Sequence, residues 1–160
     1  MQIQLMKQFC GCARYVYNRT LSLERSLYKK DNKHSCKYAE AANRLPEWKK
    51  KTPFLKECHS QVLQQSLKDL DQAYTNFFRK RANFPRYKKK FQHDSIRFPQ
   101  GVELDEVKQQ IRVPKIGWMG YRKSRDIIGT IKNVTVSRRG EKWDVSIQTE
   151  YEVSSPASNP

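Results

Sequence analysis

The chain has 160 residues, of which 32 are Lys or Arg and 16 are Asp or Glu, so its formal net charge is +16. This length suits one domain core, or a helical part and a β part that share a core, and it excludes two independent full-size domains. The charge makes a nucleic acid the expected partner, and an anionic membrane surface is the weaker alternative.

The first predicted element is an amphipathic helix from Ile3 to about Lys30, because apolar residues recur there at spacings of three and four. Its other face carries Lys7, Arg14, Arg19 and Arg25. A short helix is predicted next, with Ser35 as its cap and Pro46 at its end or at a turn just beyond. The segment "EWKKKTP" then has the composition of a linker.

A third helix is predicted from Ser60, its candidate N-cap, to about Arg81, since large apolar residues form one stripe along it. Pro85 ends the pattern. Gln61, Gln64 and Gln65 surround the start of this helix. Gln matches the donor and acceptor pattern of adenine in the major groove, so these side chains are candidates for base reading.

Residues 79–92 form a predicted basic loop, because no acidic residue lies between Asp71 and Asp94. Its cations suit phosphate contacts, and Tyr87 or Phe91 suits stacking on unpaired bases. The predicted phosphate-binding residues here are Arg79, Lys80, Arg81, Arg86, Lys88, Lys89 and Lys90. A second cluster, Arg122, Lys123 and Arg125, serves phosphate contact or solubility.

Beyond residue 93 the apolar period changes to two, which predicts strands at "SIRF", "QQIRVP", "IGTIKNVTVS" and "KWDVSIQTEYEV". Gly140 supplies the turn of a hairpin between the last two strands. The acidic segment "ELDE", residues 103–106, is predicted to be a turn. The proline-containing residues 154–160 are predicted to be disordered.

The sequence shows no local nucleophile motif, no HExxH zinc motif and no glycine-rich phosphate loop. We therefore predict no catalytic residue, no metal site and no cofactor. The four cysteines lack CxxC spacing and are expected to be reduced, partly buried thiols. A zinc site made of Cys10, Cys12, His34 and Cys36 is the alternative. No apolar stretch is long enough to span a bilayer, and no signal peptide is visible, so no membrane partner is expected.

Four motifs occur in order: "FCGCARYVYNRTL" from Phe9, "QVLQQSLKDLDQAYTNFFRKRANFPRYKKK" from Gln61, "IRVPKIGW" from Ile111 and "GTIKNVTVSRRGEKWDVSIQTE" from Gly129. Together they resemble the N-terminal half of the insertion-sequence OrfB transposases, also called TnpB. The resemblance implies a helical recognition lobe inserted in a small β-barrel, which holds DNA and a guide-type RNA in a prokaryotic cytoplasm at the nucleoid. By matching position it implies base reading by Tyr38, Ser60, Gln61 and Gln64, with Gln100 as a further candidate.

Two departures from the family pattern bear on function. Met1 lies within the first helix, where the family has an earlier strand, and the chain stops after "TEYEV", where the family continues into its nuclease. We therefore expect an α+β fragment that binds nucleic acid and is not an enzyme. Its helical lobe spans 1–93 and its incomplete antiparallel β-barrel spans 94–153. A relic without function and an independent basic RNA-binding protein are the alternatives, and the oligomeric state is left open.

Overall fold

The computed structural model describes residues 1–153 and shows helices followed by antiparallel strands. The helices are α1 (Gln2–Lys30), α2 (Tyr38–Ala42), α3 (Leu45–Lys51) and α4 (Ser60–Phe78), with a 3₁₀ turn at Pro53–Glu57. The strands are β1 (Ser95–Phe98), β2 (Glu103–Asp105), β3 (Gln110–Val113), β4 (Gly117–Gly120), β5 (Thr130–Arg139) and β6 (Lys142–Glu150). The predicted disordered tail, 154–160, lies outside the described residues.

The pairing of α1 with α4 forms the helical half of the core. Phe9 and Val16 on α1 and Leu67 on α4 are fully buried, as the apolar stripes predicted. The Ser66 hydroxyl of α4 donates to the Ala13 carbonyl oxygen of α1 at 2.7 Å. This bond satisfies a hydroxyl that is itself buried, so the contact between the helices is specific as well as apolar.

The segment predicted as a linker is helical, and this corrects the prediction. Pro46 lies in the first turn of α3, where its missing N–H costs no hydrogen bond, so it starts a helix instead of ending one. Trp48 is buried and holds α3 against the core, with the Arg19 guanidinium 4.6 Å from its ring centroid. Ser35 is not the cap of α2, because that helix starts after Lys37.

The strands form two antiparallel sheets, with orders β1-β5-β6 and β2-β3-β4. In the first sheet the buried Phe98 pairs with the buried Val134, and β1 packs on α1 and α4. Gly140 has φ +61 at the tight β5–β6 turn, as predicted. Glu103–Asp105 is a strand and not a turn, because it pairs with Gln110–Arg112 of β3.

The chain is α+β, with a helical N-terminal part followed by antiparallel sheets. The two sheets are not joined into one closed sheet within residues 1–153, so the barrel stays a prediction. Buried side chains from the helices and both sheets belong to a single core cluster. All four cysteines are free and buried, as predicted for reduced thiols. No helix in the described part of the chain is long and apolar enough to cross a membrane.

Candidate nucleic-acid interface

One face of α1 carries a row of polar side chains, Lys7, Arg14, Asn18 and Arg25. Their spacings of seven, four and seven residues bring them to nearly the same angle around a helix with 3.6 residues per turn. At 1.5 Å per residue the row is about 27 Å long. The row runs along one edge of the buried stripe, so one helix supplies both core and charged surface.

The loop that lies along this row starts at a sharp turn after α4. The Arg81 N–H donates to the Asn76 carbonyl at 2.8 Å, and the Lys80 N–H donates to the Phe77 carbonyl at 3.0 Å. This pattern is a Schellman motif, and Lys80 takes the left-handed position with φ +60. The motif ends the helix at Phe78, three residues earlier than predicted, and leaves Arg79, Lys80 and Arg81 exposed.

Aromatic packing fixes the first part of the loop on the C-terminal end of α1. The Phe84 ring centroid lies 5.1 Å from that of Tyr28 and 5.0 Å from that of Phe77. Pro85 is buried beside it. Arg25 lies over two aromatic rings of the loop, with its guanidinium 5.6 Å from the Phe84 centroid and 5.3 Å from the Tyr87 centroid. Phe84 therefore anchors the loop, while Tyr87 stays partly exposed.

The middle of the loop is held by one side-chain amide. The Lys88 N–H donates to Asn18 Oδ1 at 2.8 Å, and Asn18 Nδ2 donates to the Lys88 carbonyl oxygen at 2.9 Å. Four residues earlier on α1, Arg14 donates to Asp94 at 3.3 Å. The loop thus runs antiparallel to α1, from Arg25 past Asn18 to Arg14.

This arrangement places the cations of the helix and of the loop side by side. We call this surface the basic strip and define it as Lys7, Arg14, Arg25, Arg86, Lys89 and Lys90. Within residues 1–153, Arg86, Lys89 and Lys90 form no ion pair. All three are exposed, so their charges face solvent and are open to an anion.

Lys88 differs from its neighbours, although it was predicted as a phosphate contact. Its ammonium lies 4.5 Å from the Tyr17 ring centroid and borders the groove that contains Asp69 and Arg97. Lys88 as a whole is exposed, but partial desolvation of its ammonium lowers its pKa, and the nearby Asp69 carboxylate opposes that shift. The bonds to Asn18 fix the Lys88 backbone, and its ammonium lies beside the Tyr17 ring. A role of Lys88 in phosphate contact stays a prediction.

The predicted cluster Arg122, Lys123 and Arg125 lies elsewhere, in the loop between β4 and β5. Arg122 and Arg125 line a cleft of about 420 Å³ beside Val145 of β6. The Lys123 ammonium is 2.6 Å from Asp126, and this pairing raises the pKa of Lys123. A role of the cluster in phosphate contact stays a prediction.

The predicted base-reading residues lie mainly around α4. Gln61, Gln64 and Lys68 share one face of that helix, and the Lys68 ammonium is 5.2 Å from the Tyr38 ring centroid. The Ser60 hydroxyl is occupied by Lys49, which donates to it at 2.8 Å.

Gln100 is exposed and follows β1 by two residues. Its neighbour Phe98 stacks on His59, next to the start of α4, at 6.3 Å between ring centroids. The structure thus brings Tyr38 to the Gln61–Gln64 face of α4 and places Gln100 beyond β1. The role of these residues in base reading stays a prediction.

The sequence-based prediction omitted Lys7, Arg14, Asn18 and Arg25 from the site. Their seven-four-seven spacing is a signal that a helical projection would have detected. Arg138 of β5, whose guanidinium lies 5.5 Å from the Phe91 ring centroid, was also omitted, and no local pattern indicates it. Among residues 1–153, no group of three or more His, Cys, Asp and Glu side chains is arranged to hold a metal ion.

Comparisons with known protein sequences indicate the family to which the chain is related. Residues 1–33 match the family profile HTH_OrfB_IS605, described as a helix-turn-helix domain. A protein of Escherichia coli (strain K12), named "Putative RNA-guided DNA endonuclease InsQ", is 52% identical over 153 residues, which make up 94% of this chain and 38% of that protein. A protein of Streptomyces pristinaespiralis, named "Putative RNA-guided DNA endonuclease", is 43% identical over 81 residues, 49% of this chain and 20% of that protein.

The helix-turn-helix match at residues 1–33 and the 52% identity to the Escherichia coli protein over 94% of this chain place it in the transposase class. More closely, it belongs to the insertion-sequence OrfB family, also called TnpB, as the four sequence motifs indicated. The chain spans 38% and 20% of the lengths of these two relatives. The endonuclease activity in their names therefore refers to those longer proteins.

Proposed function

We propose that this chain binds DNA and a guide-type RNA of a TnpB-type transposition system through its basic strip. The observation that carries this proposal is the alignment of Lys7, Arg14 and Arg25 on α1 with Arg86, Lys89 and Lys90 on the loop. Lys and Arg neutralise phosphates and release counterions, which is the main source of affinity for nucleic acids. The proposal assigns binding to these residues and no cleavage step.

The finer part of the proposal concerns sequence reading and architecture. Tyr38, Gln61 and Gln64, together with Ser60 and Gln100, are proposed to contact base edges. Amide side chains present both a donor and an acceptor, as adenine requires in the major groove. The strands from residue 94 onward are proposed to be part of a β-barrel that holds the same ligands.

The salt dependence of binding tests the basic strip. With five to seven phosphate contacts, a plot of log K against log salt on duplex DNA has an expected slope of about −4.5 to −6.3. The triple variant Arg86→Gln, Lys89→Gln and Lys90→Gln removes three exposed cations. Its slope should be shallower by about 2.7, because each contact contributes about 0.9. Fluorescence anisotropy at several salt concentrations measures both slopes.

The matched control removes three other exposed cations, Lys50, Lys56 and Lys108, also by substitution with Gln. Both triple variants have the same net charge, so only the location of the lost charges differs. The control should keep the wild-type slope. Equal loss of slope in both variants would contradict the proposal and would mean that polyanions bind to total charge, as expected of a relic. Far-UV circular dichroism establishes that both variants are folded.

A further inference from the structure

Phe91 is an aromatic residue that the core does not use. Its side chain is 67% exposed, whereas Phe84 of the same loop packs among other rings. Its backbone has φ +66, a conformation that is sparsely populated for residues other than glycine. An exposed ring on such a backbone gains little from folding, and the groups that surround it indicate what it could bind.

Cations from separate parts of the chain surround this ring. The Lys90 ammonium lies 4.9 Å and the Arg138 guanidinium 5.5 Å from the Phe91 ring centroid. Together with Lys7 and Arg14 of α1, these residues line one cleft of about 560 Å³. Asp94 is the one carboxylate among the residues that line it, and Arg14 donates to Asp94 at 3.3 Å.

We define the Phe91 cleft as Lys7, Arg14, Lys90, Phe91, Asp94 and Arg138. Four cations and one carboxylate give it a formal charge of +3. The main chain holds its two sides together, because the Arg138 N–H donates to the Asp94 carbonyl oxygen at 2.9 Å. The cleft thus combines an exposed aromatic face with a ring of cations, at the end of the basic strip nearest Lys7.

We propose that the Phe91 cleft holds an unpaired nucleotide of a single-stranded nucleic acid. The base stacks on Phe91, and its phosphate lies among Lys7, Lys90 and Arg138. Every base has a π-face, so stacking requires no particular sequence, but it does require a base that is not already stacked in a duplex. This inference rests on the proposed binding function and adds to it a preference for single strands.

Tyr87 is the other partly exposed aromatic residue of the loop, and it is less suited to the same role. It is 44% exposed, and Arg25 lies over its ring. Its surroundings include Phe84, Pro85 and Lys89 on the loop itself. Phe91, in contrast, faces cations from α1 and β5 as well as from the loop, so a ligand there is held by three segments.

The test compares ligands that differ in one property each. The reference ligand is a DNA single strand of about 12 nucleotides, which is within the usual site size. The other three ligands are the same strand without its bases, the duplex of that strand, and an RNA single strand of the same sequence. Wild-type protein should bind the strand with bases about 5- to 150-fold more tightly than the abasic strand, since one stacked base contributes about 1–3 kcal/mol. Phe91→Leu should abolish this difference, while Phe91→Trp should keep it.

Two further measurements isolate stacking from charge. Affinity for the duplex and the salt slope should be the same in Phe91→Leu and wild type, because no cation is lost. The control is Trp118→Leu, which changes an aromatic residue on β4 that is 44% exposed and lies outside the cleft. It should leave all affinities unchanged. If Phe91→Leu loses affinity for only the DNA strand or only the RNA strand, the result still supports the proposed role of the Phe91 cleft and identifies the kind of strand that it binds.

The two proposals fail in different ways. If wild-type protein binds none of the four ligands, the proposed binding function is wrong. If it binds all four with the expected salt dependence but does not distinguish base-containing from abasic strands, only the role of the Phe91 cleft is wrong. Equal loss of affinity for all ligands in Phe91→Leu would also overturn the inference, since stacking cannot act on an abasic strand.

Discussion

Replacing Asn18 with Ala tests how the loop is held along α1. The substitution removes both hydrogen bonds to the Lys88 backbone, at 2.8 and 2.9 Å. Both bonds are exposed to water, so each contributes about 0.5–1 kcal/mol, the lower part of the usual range. Their combined loss of about 1–2 kcal/mol should increase the population of the open loop by about 5- to 30-fold.

Native-state hydrogen exchange measures this change directly. The Lys88 amide should exchange faster in Asn18→Ala by about the same 5- to 30-fold. Amides within α4 should be unaffected, because they open only when the core unfolds. Affinity for nucleic acid should fall by at most the same factor, while the salt slope stays unchanged, because the number of cations is the same.

The control is Asn83→Ala, an exposed asparagine in the same connection, which should leave exchange at Lys88 unchanged. If the Lys88 amide exchanges equally fast in wild type and Asn18→Ala, the amide pair does not hold the loop. A fall in the unfolding midpoint as large as that of a core substitution would also refute the reasoning, since it would mean that loop and core open together.

Two further predictions concern the core. Burial raises the pKa of Cys10 and of Cys36 from 9.0 to about 12, so above pH 9 the unfolded chain releases protons that the folded chain keeps. The free energy of unfolding should therefore fall between pH 9 and 12 by up to about 1.4 kcal/mol per pH unit for each thiol. Urea titrations of Cys36→Ala should show a smaller dependence of this free energy on pH. Glu24 is 1% exposed and accepts a hydrogen bond from Arg44 at 3.0 Å, so Glu24→Gln should lower the unfolding free energy by about 1–3 kcal/mol. Glu47→Gln, at an exposed pair with Lys51, should leave the urea midpoint unchanged.

The sequence was sufficient for elements whose pattern is local. The long helices were predicted because their apolar stripes repeat within one turn, and the β5–β6 hairpin because Gly140 marks its turn. Pro46 was misread because proline suits both the end and the first turn of a helix. Burial of Trp48 decides between the two, and burial depends on tertiary contacts.

The candidate site could likewise be predicted only where its features depend on local sequence. The basic residues of the loop were evident from composition, but their orientation was not. Asn18 and Lys88 are 70 residues apart, so nothing near Lys88 indicates that its ammonium would lie against Tyr17. Arg138 joins the Phe91 cleft only because β5 pairs with β1 next to Asp94. Contacts of this kind arise from topology and are absent from any single segment.

Helix α1 supplies both core residues and charged surface, and this restricts how the chain can change during evolution. The helix is continuous from Gln2 to Lys30, so inserting one residue within it would rotate everything beyond by about 100°. An insertion between Arg14 and Leu21 would turn Leu21 out of the core and move Arg25 away from the loop in the same step. Substitutions can adjust either face separately, whereas insertions and deletions damage both. Length variation among homologues should therefore be rare within α1 and more frequent in the connection between α1 and α2.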